Sequence, residues 1–232
     1  LFLFKKKAKL KNLKVVTFGL NKKSDIHPIS VSNNKNHERC SIKIKDKVFS
    51  FNFKNLNIYN VLSSFALLDE LNLDFTKIIN YLKNYEPTEG RGKIHLIKRY
   101  KKNFKLIDES YNANPLSVKN AIKSFNLIKK RNFKKYLLLG DMLELGKKSE
   151  SLHKNLSKVI NNSDIDKVFI KGSKTLTTYK NIHKAKRGNI FQQEEDVDFT
   201  FNNIIANNDH LLIKGSNATG LYNLSKRMIK GY

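Results

Sequence analysis

The chain has 232 residues and a formal net charge of +25 with a pI near 10.0, a balance that would ordinarily suggest a nucleic-acid surface. The basic residues are overwhelmingly Lys, scattered rather than striped, and Arg is confined to Arg39, Arg91, Arg99, Arg131, Arg187 and Arg227, so we read A/T-rich coding rather than specific nucleic-acid binding. A single Cys, Cys40, excludes an internal disulfide framework and fits a reducing cytoplasm, and no apolar run approaches the roughly 20 residues that cross a bilayer.

In chain order, Leu1-Phe-Leu-Phe4 is too short for a signal sequence and reads as the end of a helix begun upstream. Short strands are expected over residues 14–19, 41–45 and 48–53, then helices over about 56–71 and 74–85. On the first helix Ile58, Val61, Leu62, Phe65 and Leu68 form one stripe, and Asn57 and Asn60 lie together off it. The chain divides at residues 89–93, where Gly90 and Gly92 flank Arg91. The expected domains are 1–91 and 92–232.

Beyond the boundary, an apolar strand with Phe104, Leu106 and Ile107 runs into Asp108, Glu109 and an Asn-rich turn. A helix follows, with Asn114 suited to the N-cap, Pro115 to the first position, and Val118, Ala121, Ile122 and Phe125 on one face. The order strand, acidic loop, helix repeats at Tyr136-Leu-Leu-Leu-Gly140, Asp141-Met-Leu-Glu-Leu-Gly146 and the spaced Leu152, Leu156, Val159 and Ile160. Val168-Phe-Ile-Lys-Gly172 and Leu211-Leu-Ile-Lys-Gly215 are two further apolar runs ending in Gly, the last followed by Leu221, Leu224 and Met228. Continuous apolar runs are strands buried on both faces, and their alternation with helices predicts an α/β fold with a doubly wound sheet. In such sheets ligands lie at the carboxyl ends of the strands. The six His residues include no ligand pair at helical spacing and there is no Cys/His cluster, so no metal site is expected.

Four motifs, Glu89-Gly-Arg91, Ile107-Asp-Glu-Ser-Tyr-Asn-Ala-Asn-Pro115, Leu139-Gly-Asp-Met-Leu-Glu-Leu-Gly146 and Lys214-Gly-Ser216, occur in register over about 130 residues. In this order the chain closely resembles the Mur ligases. The resemblance extends, less sharply, back to Asn57-Ile-Tyr-Asn60 and Val15-Val-Thr-Phe-Gly19. It implies a C-terminal Rossmann-like domain preceded by the end of a central α/β ATPase domain. It also implies an ATP- and Mg²⁺-dependent ligase working in the cytoplasm; a monomer is the expectation, although the sequence does not reveal the oligomeric state. The members it most resembles join D-alanyl-D-alanine to UDP-N-acetylmuramoyl-tripeptide through an acyl phosphate. The chain begins at Leu1 and contains no Gly-x-x-x-x-Gly-Lys-Ser/Thr loop; Gly172-Ser-Lys-Thr175 lacks the upstream Gly and reads as a turn with a solvated Lys. The expectation is a C-terminal portion, inactive alone, with the phosphate loop and metal ligands upstream.

The resemblance also implies roles. Asn57 and Asn60 would contact adenine, although Leu56 stands where the family has His and Lys54 where Gly is usual. Arg91 would reach the ATP phosphates, and either Asp108 or Glu109 would hold the ribose hydroxyls. Tyr111, Asn112 and Asn114 would line the same crevice. Lys214, Gly215 and Ser216 would meet the carboxylate of the dipeptide, or Lys214 would simply be solvated; Asn217 replaces a frequent Arg. Asp141 and Glu144 would orient the amine or shape their loop, with His153 packed on it. Two alternatives remain open at this level: a folylpolyglutamate-type ligase adding glutamate, and a non-catalytic basic α/β module.

Overall fold

Where apolar residues alternate with Ser, Thr or charge the chain forms half-covered strands, and where they run on without interruption it forms the centre of a sheet. The computed structural model describes residues 2–33, 38–44, 47–53, 57–83, 85–193 and 195–231. Its contacts separate two units, Leu1–Pro87 and Thr88–Tyr232.

The first unit opens with helix α1 (Phe2–Leu10) and has a three-stranded antiparallel sheet, β1 (Pro28–Asn33), β2 (Glu38–Ile44) and β3 (Lys47–Phe53), in that spatial order. Helices α2 (Ile58–Glu70) and α3 (Phe75–Lys83) follow. Cys40, Ile42, Phe51 and Phe53 from the sheet and Val61, Leu62 and Phe65 from α2 form its core, with Phe51 stacked on Phe65 at 5.1 Å. The stripe expected on α2 is thus buried at its centre. Residues 14–19 do not form the expected strand: only Phe18 bridges to Ile26. The Asp25 carboxylate accepts the backbone N–H of Thr17 at 2.7 Å and so removes a donor that a ladder would need. Strand β1 escaped the sequence reading because its alternate residues are Ser and Asn rather than a run of apolar side chains.

The second unit is a six-stranded sheet of β4 (Lys93–Arg99), β5 (Lys102–Glu109), β6 (Lys135–Gly140), β7 (Lys167–Lys171), β8 (Arg187–Phe191) and β9 (His210–Lys214). Its spatial order is β4-β5-β9-β6-β7-β8, with β4 antiparallel and the others parallel. Helices α4 (Pro115–Leu127), α5 (Ser149–Asn161) and α6 (Thr175–Asn181) cover one face. Helices α7 (Glu195–Ile204) and α8 (Leu221–Lys230) cover the other. Period-two alternation sorts the strands: Tyr136, Leu138, Leu211 and Ile213 pack under α7 and α8, whereas Leu137, Leu139 and Leu212 pack under α4 and α5. Each fully buried apolar side chain contributes roughly 1.5–3 kcal/mol, and these central strands are buried throughout. The sequence reading did not mark β4, α6, β8 or α7.

The edge opposite the site is closed by a buried lysine. Lys135 is fully buried, and its ammonium donates to the Phe125 carbonyl at 2.9 Å, to the Ile128 carbonyl, and to Asp164 at 2.7 Å, satisfying the last carbonyls of α4. At the functional edge, β5 hands over to α4 on one face while its neighbour β9 hands over to α8 on the other. Adjacent strands whose connections leave in opposite directions create the crevice in which ligands of such sheets sit.

Candidate functional site

Strand β5 ends in two carboxylates whose surroundings differ. Phe104, Leu106 and Asp108 point to the same face and all three are fully buried. One oxygen of Asp108 accepts the backbone N–H of Gly90 at 2.7 Å, and the other accepts the Ser110 hydroxyl. Asp108 therefore fastens the boundary segment to the sheet, helped by the Gly92 N–H donating to the Asp108 carbonyl at 2.7 Å. Glu109 points the other way and its side chain is 31% exposed. Of the two, it alone carries a carboxylate open to solvent.

Arg91 sits in the turn so held. The Arg91 N–H donates to the Thr88 carbonyl, and Gly90 at φ +75° and Gly92 at φ +101° occupy conformations that side chains avoid. A Cβ on Gly90 would lie 2.7 Å from the Tyr111 Cβ and 2.9 Å from the Tyr222 ring. The Arg91 guanidinium lies 4.5 Å from the centre of the Tyr111 ring, which meets Tyr222 edge-on at 5.4 Å, and Lys226 stands 4.2 Å over Tyr222. Tyr222 and Lys226 were not singled out from sequence; their helical spacing from Leu221 and Leu224 puts them off the apolar stripe, which was the available signal. Asn112 is exposed, and the Asn114 side chain accepts the Ser117 N–H at 2.8 Å as the N-cap of α4.

Lys214 is turned inward. It is 2% exposed, and its ammonium reaches the Glu109 carbonyl at 3.3 Å, a Glu109 carboxylate oxygen at 3.3 Å and the Asn112 carbonyl at 2.8 Å. Burial holds it below the usual lysine range; Glu109 partly offsets this and Arg91 adds to it. Its three donors have three acceptors, so it ties β9 to the β5 exit and is not solvated. The next two residues lock β9 to β6. A Cβ on Gly215 would lie 3.0 Å from the Gly140 Cα, a close approach of two backbones. The Ser216 hydroxyl accepts the Leu143 N–H at 3.0 Å, and its own N–H donates to the Asp141 carbonyl at 3.0 Å.

The 141–146 loop is shaped from within. Asp141 accepts from the Thr175 N–H at 2.8 Å, the Thr175 hydroxyl at 3.0 Å and the Lys174 N–H at 3.2 Å, so it caps the start of α6. Buried His153 donates from Nδ1 to the Ser149 carbonyl at 2.8 Å, which leaves Nε2 to accept the Met142 N–H at 3.1 Å. Glu144 is exposed with φ +61°. Lys174 is exposed in the turn before α6. Beside this loop, the carboxyl ends of β6, β7 and β8 enclose a cleft of about 360 Å³ lined by Leu143, Lys171, Leu176, Phe191 and Thr219 among others. Of the residues given a role in the sequence analysis, Asp141 lines it.

In the first unit, Asn57 caps α2 by accepting the Tyr59 N–H at 2.9 Å, which leaves its amide N–H₂ outward. Asn60 is exposed beside it on the first turn. Lys54 and Leu56, the two departures from the family pattern, lie outside the described residues. The sequence-predicted residues of the second unit are thus gathered on one sheet edge, with Arg91, Glu109, Tyr111 and Asn112 facing outward and Asp108, Lys214 and Ser216 holding that surface from beneath.

An open, largely parallel sheet wound on both faces, with a cation on a double-glycine turn beside a half-exposed carboxylate at its carboxyl edge, defines a Rossmann-like α/β domain with a ligand edge. Residues 92–217 match the family model described as Mur ligase, glutamate ligase domain. The chain belongs to the Mur ligase family. It is 30% identical over 155 residues to a UDP-N-acetylmuramoyl-tripeptide–D-alanyl-D-alanine ligase of Rickettsia prowazekii, covering 67% of this chain and 33% of that protein. An enzyme of the same name from Buchnera aphidicola subsp. Baizongia pistaciae is 27% identical, with 97% and 48% covered. Among solved structures, the MurF ligase of Thermotoga maritima in complex with ADP superposes with a TM-score of 0.74 at 18% identity, covering 97% of this chain and 50% of that one, which establishes a shared fold. The chain thus spans between a third and a half of the length of these relatives.

Proposed function

We propose that this chain is the C-terminal part of an ATP-dependent ligase that adds D-alanyl-D-alanine to UDP-N-acetylmuramoyl-tripeptide in cytoplasmic peptidoglycan precursor synthesis. Residues 1–91 would be the end of its central ATP-binding domain and residues 92–232 its C-terminal domain. The observation that carries the reading is the grouping of Arg91, Glu109 and Tyr111 on one crevice edge, which suits a nucleotide. The names of the relatives favour D-alanyl-D-alanine over glutamate as the acceptor and over a nucleic-acid module.

Forming an amide from a carboxylate needs a leaving group, and transfer of the γ-phosphoryl group of ATP to the tripeptide carboxylate supplies one. The amine of D-alanyl-D-alanine then attacks the acyl phosphate, and the tetrahedral intermediate expels phosphate. In this chain Arg91, fixed by the glycine turn and the Tyr111 face, presents a preorganised cation to the phosphates. The Glu109 carboxylate accepts hydrogen bonds from the ribose diol, since Asp108 already uses both oxygens within the protein. Asn57 and Asn60 offer outward amides to the adenine edge. Lys214, Gly215 and Ser216 shape the acceptor side from beneath rather than through a free ammonium. Among the described residues no group of three His, Cys, Asp or Glu side chains is placed to hold a metal ion, so no step is assigned to Mg²⁺ on this chain. Mg²⁺ would accompany the ATP phosphates.

The test is phosphate release by the full-length protein, supplied with UDP-N-acetylmuramoyl-tripeptide, ATP and Mg²⁺, with D-alanyl-D-alanine, L-Glu or no acceptor. Release that depends on D-alanyl-D-alanine and falls about 100-fold or more in Arg91→Ala is expected. Release that responds to L-Glu alone, or to neither acceptor, overturns the assignment.

A further inference from the structure

The glycine turn fixes the backbone of Arg91 but not the long side chain that carries its charge. Among the described residues no carboxylate pairs with the guanidinium; what meets it is the Tyr111 ring, with 4.5 Å from the guanidinium to the ring centre. Tyr111 is itself 38% exposed on the loop after β5, so this ring needs a support of its own. Helix α8 supplies one. It starts at Gly220, in the left-handed conformation at φ +79°, shortly after β9 ends, and Leu221, Leu224 and Met228 bury its apolar stripe in the core. Tyr222 stands one residue off that stripe, at the carboxyl edge of the sheet. Its ring meets Tyr111 edge-on at 5.4 Å and comes within 2.9 Å of where a Gly90 Cβ would lie. It therefore touches both the ring under the guanidinium and the turn from which Arg91 springs.

Resting on the ligase reading above, we propose that Tyr222 is a positioning residue for Arg91, holding the Tyr111 ring so that the guanidinium is presented to the phosphates in one orientation. The contacts form a series from the core outwards: the buried stripe of α8 fixes Tyr222, Tyr222 fixes Tyr111, and the Tyr111 ring fixes the guanidinium. Lys226, one turn further along α8, stands 4.2 Å over the Tyr222 ring and holds that ring in place. Each contact is modest, but a cation that acts on a transition state depends on its alignment, and small displacements are costly in rate. An aromatic support suits this task better than a carboxylate, because it steadies the guanidinium without neutralising the charge that the phosphates require. Tyr222 touches no substrate in this account and acts only through Tyr111 and Arg91.

The experiment is a double-mutant cycle in the full-length protein, read as phosphate release dependent on D-alanyl-D-alanine. Tyr222→Leu should lower kcat by roughly 3- to 10-fold, the size of an edge-to-face ring contact, with KM for D-alanyl-D-alanine unchanged. Tyr222→Phe keeps the ring and should restore most of that rate. In an Arg91→Ala background Tyr222→Leu should cost nothing further, since a residue that acts only through Arg91 then has nothing left to position. A substitution that merely loosens the fold would lower the rate by the same factor with or without Arg91, and that result overturns the proposal. So does a Tyr222→Leu protein with the kcat of wild type, or a Tyr222→Phe protein as slow as Tyr222→Leu; each of these leaves the ligase reading intact. Wild type that shows no dependence on D-alanyl-D-alanine overturns the ligase reading, and the positioning role with it.

Discussion

Replacing Lys214 by Met tests whether an inward-facing ammonium holds the carboxyl edge of the sheet together. The substitution keeps the aliphatic stem and removes three donors, leaving the Glu109 and Asn112 carbonyls without their buried partner. A charge-assisted bond is worth roughly 1.5–3 kcal/mol and a buried acceptor left unmade costs about 1–3 kcal/mol, against which stands the relief of no longer burying a charge. The net loss should be about 2–3 kcal/mol, which for a unit of this size lowers Tm by about 5–10 °C. Circular dichroism melts at neutral pH measure it. A second arm uses pH. Burial depresses the native-state pKa of Lys214 below 10.5, whereas the unfolded chain keeps its ordinary value. In the window just below 10.5 the unfolded state binds more protons, so stability rises with pH in wild type and not in the Met variant. The stability gap between the two should widen as pH climbs from neutral towards 10.5. Tyr136, raised to about 12 chiefly by burial, acts in the opposite sense above pH 10 but in both proteins, and cancels in the difference. A Tm change within about 1 °C, or a gap that narrows with pH, would refute the role assigned to Lys214.

Gly90→Ala forces a Cβ to within 2.7 Å of Tyr111 at φ +75° and should destabilise the protein by at least about 2 kcal/mol, read as a lower urea midpoint. Asp141→Ala removes the cap of α6 and should cost about 1–2 kcal/mol, with faster hydrogen exchange at the Thr175 amide as the local signature. His210, stacked on Phe133, has its pKa lowered from 6.5 first by burial and then by Lys105. Between its native pKa and 6.5 the unfolded chain alone holds that proton, so stability is lost as pH falls below 6.5; His210→Phe should flatten this acid limb in denaturant midpoints measured between pH 7.5 and 5.

The central strands were legible because burial on both faces leaves an unmistakable composition: Tyr136 to Gly140 and His210 to Lys214 are buried at every position. Strands β1, β4 and β8 lie at edges, where one side of the ladder or one face meets water, and their sequences carry Ser, Lys and Arg that resemble loops. Residues 14–19 failed in the opposite sense. Val15 and Phe18 looked like a strand, but a strand needs a backbone partner as well as apolar side chains, and both residues are substantially exposed. The helix starts fared better because a cap is a local device: Asn57 and Asn114 each accept an N–H within three residues of themselves.

The site was legible as a set of positions and not as a division of roles. Sequence left Asp108 and Glu109 equivalent, yet strand alternation already separates them. Phe104 and Leu106 fix one face of β5 as core, so Asp108, two residues further on, must continue into it and find donors there. Glu109, in step with Lys105 and Ile107, must turn towards the half-covered face. The same alternation does not decide Lys214, because β9 is buried on both faces; only the neighbouring carbonyls of Glu109 and Asn112, more than a hundred residues away in sequence, determine where its ammonium goes. Lys171 likewise ends a strand, β7, that is paired on both sides, and what separates it from Lys214 is that it borders a cleft and donates to the Thr219 carbonyl. At this edge, then, the residue type supplies a charge, and the groups that other strands and loops bring beside it decide what that charge meets.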